Sequence, residues 1–82
     1  MTTAGFLLGL YSLRLERNDK GLTGPWTAAL RTSMEGLVER LKTLPPGQPI
    51  QISTNEETGE ARFIVAETGE LAGTLTLSEI NQ

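Results

Sequence analysis

The chain predicts an α+β fold: a two-layer sandwich of order β-α-β-β-β, with one helix packed on a four-stranded, mostly antiparallel sheet. Three observations carry this. Apolar residues recur at helical spacing between Trp26 and Leu44. Three short apolar runs follow Pro45-Pro46-Gly47. The tetrapeptide Glu-Thr-Gly-Glu occurs twice, at residues 57–60 and 67–70, ten residues apart. Each copy supplies a polar turn with a glycine able to take positive φ, so the pair brackets a meander.

The first element is expected to be a strand from Phe6 to Arg17. Tyr11, Leu13 and Leu15 alternate with Ser12, Arg14 and Glu16. A helix would set Leu13 and Leu15 about 200° apart, whereas a strand puts them on one face. Its first half is apolar on both sides, with Phe6, Leu8 and Leu10 opposite Leu7, Gly9 and Tyr11, and therefore needs cover on both faces. Asn18-Asp19-Lys20-Gly21 reads as a turn. Thr23-Gly24-Pro25 then reads as a helix start, with Thr23 or Gly24 as cap and Pro25 at the first helical position. Trp26, Leu30, Met34, Leu37, Leu41 and Leu44 form the apolar stripe, widened by Val38. Arg31 and Glu35 make an (i, i+4) pair away from it. Gly36 weakens the helix and marks a close approach to the sheet. Pro49–Thr54, Ala61–Ala66 and Leu71–Leu77 are the remaining strands, and Ser78–Gln82 is a polar tail with room for one short turn.

Strand pairing separates the two repeated turns. A three-residue loop at Glu67-Thr68-Gly69 pairs Ala66 with Glu70 and sets Val65 opposite Leu71, Phe63 opposite Gly73 and Ala61 opposite Leu75, all on one face. The same loop at Glu57-Thr58-Gly59 would turn Gln51 and Ser53 under the helix, at roughly 1–3 kcal/mol each if unpartnered. A four-residue loop, Glu56-Glu57-Thr58-Gly59, sets Ile52 opposite Phe63 and Ile50 opposite Val65, and is the expected form. The helix-facing core is then Leu13, Leu15, Ile50, Ile52, Phe63, Val65, Leu71, Leu75 and Leu77, covered by Trp26, Leu30, Met34, Leu37 and Leu41. The opposite sheet face carries Phe6, Leu8, Leu10, Ile64, Ala66 and Ala72, bordered by Ser12, Arg14, Arg62, Thr74 and Thr76.

Composition narrows function more than it specifies it. The 82 residues make one domain, 1–82, with a small core and no cysteine staple. Such domains often gain stability by oligomerising. With no histidine and no cysteine, the commonest general base and the thiolate zinc ligands are missing. The serines at 12, 33, 53 and 78 have no histidine to activate them, and Lys20 and Lys42 read as solvated. Glu56, Glu57 and Glu60 read as turn carboxylates, since the alternating ligands of a calcium loop are absent. The glycines form no phosphate-binding motif. Net charge is −3, which disfavours nucleic acid and anionic membranes, and Phe6–Tyr11 is too short to span a bilayer and a poor signal peptide.

The residues 55–60, Asn-Glu-Glu-Thr-Gly-Glu, resemble the degron turn that stress-response transcription factors present to a Kelch-domain ubiquitin-ligase adaptor. The likeness covers six of 82 residues, lacks the leading Asp of that motif, and places between strands a segment the family presents from disordered chain. No function is carried over from it.

The sequence thus predicts a non-enzymatic protein–protein interaction or accessory subunit in the cytoplasm, with no catalytic, cofactor or metal residues. Its expected partner is a second copy or another protein, docked on the open sheet face through Phe6, Leu8, Leu10, Arg14, Arg62 and Ile64. Trp26 is expected to cover the sheet edge or, if exposed, to anchor a partner. The alternative is a small-ligand regulator with a pocket between helix and sheet or at the dimer seam.

Overall fold

A computed structural model describes residues 2–76. Two helices pack on a four-stranded antiparallel open sheet. The order is β1 (Thr2–Thr3), α1 (Ala4–Asp19), α2 (Ala28–Lys42), β2 (Pro49–Asn55), β3 (Glu60–Val65) and β4 (Leu71–Thr76). Strand order in the sheet follows chain order, β1-β2-β3-β4.

The expected first strand, Phe6–Arg17, is a helix. Residues 4–19 contain no Val, Ile or Thr and are rich in Leu, Arg and Glu, which lose little side-chain freedom in a helix. Thr3 caps it, its Oγ1 accepting from the Phe6 backbone N–H at 3.3 Å. Ala4, Leu7 and Tyr11 repeat at helical spacing and are the buried positions of α1. The period-two alternation at 11–16 is real in the sequence, but the longer 4-7-11 repeat governs. The one-helix layer of the expected β-α-β-β-β order is therefore replaced by α1 and α2, and the first strand shrinks to Thr2–Thr3.

Helix α2 also starts later than Pro25. Thr27 is its cap, with Oγ1 accepting from Leu30 N–H at 3.1 Å. Thr23 instead accepts from the Asn18 side-chain amide at 3.0 Å, inside the connection. Leu30, Met34, Leu37, Val38 and Leu41 are buried, as the apolar stripe requires. Arg31 bonds Glu35 at 2.8 Å and also reaches back to Asp19 at 2.6 Å and Asn18 Oδ1 at 3.0 Å, tying the end of α1 to α2.

The four-residue loop at 56–59 is observed: Ile50 pairs with Val65, Ile52 with Phe63 and Asn55 with Glu60. The second turn departs from its expected three-residue form. Val65 N–H donates to Glu70 O at 2.8 Å and Gly69 N–H to Val65 O at 2.7 Å, so Ala66–Gly69 is also a four-residue loop. Gly59 and Gly69 have φ of 68° and 76°, so the two copies of the tetrapeptide fold alike. Register is recovered by a bulge. Ile64 pairs with Leu71 while Phe63 still pairs with Gly73, and Ala72 is the extra residue. The bulge reverses two expectations: Ala72 is buried and Leu71 is exposed. Leu13 and Ile52, also expected in the core, are exposed too, while Leu77 lies outside the described residues.

Phe63 and Gly73 fix how the helices sit. The Tyr11 ring meets Phe63 edge-on, with centroids 5.8 Å apart and planes at 89°. A Cβ on Gly73 would lie 2.8 Å from Leu37 Cδ1 and 3.3 Å from Leu37 Cα. Since Phe63 and Gly73 are cross-strand partners, α1 and α2 lie on the same side of the sheet. The close helix–sheet approach is thus at Gly73. Gly36, expected to mark it, is exposed with open space around it.

These two glycines should respond oppositely to alanine. Gly73→Ala forces Leu37 and α2 outward and should cost about 1–3 kcal/mol. Gly36→Ala should stabilise by up to about 1 kcal/mol through helix propensity. Urea unfolding followed by circular dichroism measures both.

Candidate functional site

Helix α1 is apolar on two sides. Its inner side holds Ala4, Leu7 and Tyr11 against the core. Phe6, Leu10, Leu13 and Arg17 follow at spacings of four, three and four, which places them together on another side. Phe6 is 65% exposed and Leu13 52%, while Leu10 is half-buried. Gly9 lies beside this stripe with no atom within 4 Å of where a Cβ would be. An amphipathic surface helix ordinarily turns charge outward, so an exposed apolar stripe is a departure from that pattern.

The chain after α1 carries further apolar side chains. Leu22 is exposed, and its N–H donates to the Arg17 carbonyl at 2.9 Å. Trp26, half-buried rather than free, closes a cleft of about 310 Å³ with Leu10, Leu13, Arg14, Arg17 and Thr23. The Trp26 indole N–H is buried without an acceptor among the described residues. The Arg14 guanidinium lies 5.4 Å from the Tyr11 ring centroid, a cation–π distance. Burial pushes the Tyr11 phenol above its ordinary value of 10.0, and the Arg14 charge opposes that shift.

The six residues expected to share one sheet face are divided. Phe6, Leu8, Leu10 and Arg14 are on α1, with Leu8 and Leu10 both packed against the core. Arg62 and Ile64 are on β3, in register with Ser53 and Gln51. Arg62 bonds Glu60 at 3.1 Å and does not join Arg14. Leu13 and Trp26 join Leu10 around the cleft, a grouping that a strand over 6–17 would not produce. The signal that finds them is the 6-10-13-17 spacing in a segment without β-branched residues.

The repeated turns do not converge on a site. Asn55 Oδ1 accepts from the N–H groups of Glu57 and Thr58 at 3.0 and 3.4 Å, so those donors are already used. A polar, open hollow of about 520 Å³ lies beside this turn, lined by Glu56, Glu57, Glu60 and Arg62 among others. Among the described residues, no group of three or more carboxylates is placed to hold a metal ion. Likewise no described helix is long and apolar enough to cross a membrane.

No family model matches the chain, and no curated protein or solved structure matches it.

The Tyr11 shift carries a pH prediction. Its folded pKa is raised, so below pH 10 the phenol is neutral in both states and its stabilising contribution is complete. Above pH 10 the unfolded phenol ionises first, and stability falls as pH rises through the folded pKa. Unfolding curves at pH 9 and 11 should show a loss that Tyr11→Phe reduces; an equal loss in both proteins would contradict the shift.

Proposed function

We propose that this chain is a non-enzymatic protein–protein interaction or accessory subunit, acting in the cytoplasm, that docks through the outer stripe of α1. The observation that carries this is the exposure of Phe6 and Leu13 on a helix whose other side is already buried in the core. Phe6 and Leu13 lie on a different side of α1 from Ala4, Leu7 and Tyr11, which meet the core. The open sheet face is a weaker candidate: Ile64 and Leu71 are its large apolar side chains among the described residues, set among Gln51, Ser53, Arg62 and Thr74. A ligand-binding role draws its support from the cleft at Trp26. That cleft lies between α1 and the connection to α2, not between helix and sheet, which is one of the two places the ligand reading expects it, the other being a dimer seam.

Site-specific photocrosslinking tests the docking face. A benzophenone amino acid at position 6 should give a discrete protein adduct in native cells, and Leu13→Glu in the same chain should abolish it. The same probe at Glu35, exposed on α2, should give none. Equal labelling from positions 6 and 35, or an adduct indifferent to Leu13→Glu, would reject α1 as the docking face.

A further inference from the structure

The two edges of the sheet are finished differently. β4 carries the bulge at Ala72, a device that twists an edge away from pairing with another chain. The β2 edge has no such device. β1 pairs only with Pro49 and Ile50, so Gln51–Asn55 have β3 on one side and no described strand on the other. This run, Gln-Ile-Ser-Thr-Asn, contains no charge and no proline, and all of it is exposed.

The hydrogen-bond alternation shows which groups are open there. Ala66 N–H donates to the Pro49 carbonyl at 3.1 Å, so Ile50–Val65 is a non-hydrogen-bonded pair. By alternation Ile52–Phe63 and Thr54–Ala61 are too, and the backbone N–H and C=O of Ile52 and Thr54 point away from β3. At Ile50 the equivalent groups meet Thr2. At Ile52 and Thr54 no described strand receives them. Ile52 shares the core face with Phe63 yet is 42% exposed. An open recess of about 480 Å³ lies against it, lined by Thr2, Ile50, Gln51 and Ile52. In the turn that follows, Glu56 and Glu57 are exposed, and neither takes part in an ion pair among the described residues.

We propose that the β2 edge takes an extended segment of another polypeptide as an added strand, antiparallel and in line with β1. Alternate residues of a strand are about 7 Å apart, so an extended backbone matches the open groups of both Ile52 and Thr54. The segment carries apolar side chains opposite those two residues, where the first extends the core face, and basic ones opposite Asn55 and Glu56, beside the unpaired carboxylates. A second copy is the poorer occupant. The register that uses all four open groups sets its Thr54 against Ile52, and its Glu56 then falls opposite Ile50, where Thr2 already sits. A segment that ends opposite Ile52 meets no such obstacle. This surface shares no residue with the α1 stripe.

The probe is acetyl-Lys-Lys-Val-Thr-Val-amide, with its valines opposite Thr54 and Ile52. Titrated to millimolar concentration into the isotope-labelled whole chain, it should shift the amide resonances of residues 51–57 and slow hydrogen exchange at Ile52 and Thr54. Methylating either valine nitrogen removes a donor that faces the edge and should weaken binding by about 10-fold or more. Methylating the threonine nitrogen, which faces solvent, should leave binding within about two-fold. Glutamate in place of both lysines should weaken it. Thr54→Pro removes an outward N–H without touching the β3 ladder, and should weaken it with an unchanged circular dichroism spectrum. No amide shift at millimolar peptide, shifts confined to β4 or α1, or equal losses from all three methylations would overturn the proposal. Exchange protection at Ile52 and Thr54 that rises with protein concentration in the absence of peptide would also overturn it, and assign the edge to a second copy.

Discussion

The structure depends on the packing around Phe63. Its side chain is fully buried, its cross-strand partner Gly73 has no side chain, and Leu37 of α2 comes down onto that gap. Tyr11 of α1 meets the Phe63 ring edge-on. The cross-strand pair therefore joins both helices to the sheet, α1 through Phe63 and α2 through Gly73. A small core of this kind is sensitive to volume, because neighbouring groups relax only partly when a side chain is added or removed. The bulge at Ala72 belongs to the same arrangement. It restores the pairing that places Gly73 beneath Leu37 after the second turn has taken one residue more than a three-residue loop would.

Sequence reasoning worked where a constraint was local or had only two solutions. The loop at 56–59 is an example. Moving its register by one residue would have buried Gln51 and Ser53, and Ile50 with Ile52 settles the choice. It failed at 66–69 because a bulge can absorb an extra residue without changing the distant pairs Phe63–Gly73 and Ala61–Leu75. Helix α2 was legible from its long apolar stripe, although its cap lay at Thr27 and not before Pro25. The close approach at Gly73 was not legible, since nothing in a strand's own sequence says which of its residues a helix will cross.

The first helix shows the hardest case. A segment apolar on both sides has no strong periodicity, and a short alternating stretch can then imitate a strand. The absence of β-branched residues from 4 to 19 and the threonine cap at its start were the better guides. The same property that obscured the element leaves an apolar side of it exposed. Of the cover expected on both sides of this segment, the structure supplies one: the core covers Leu7 and Tyr11, while Phe6 and Leu13 remain exposed. The candidate face moves from the sheet to α1, keeps Phe6, Leu10 and Arg14, and gains Leu13 and Trp26.

The fold requires α1 to be a helix whose inner side meets Phe63. Nuclear Overhauser contacts in solution test this directly. The predicted result is a continuous series of (i, i+3) contacts through Ala4–Asp19, together with contacts between the Tyr11 and Phe63 rings. Strong sequential Cα–H to N–H contacts across Phe6–Arg17, with cross-strand partners and no Tyr11–Phe63 contact, would contradict it.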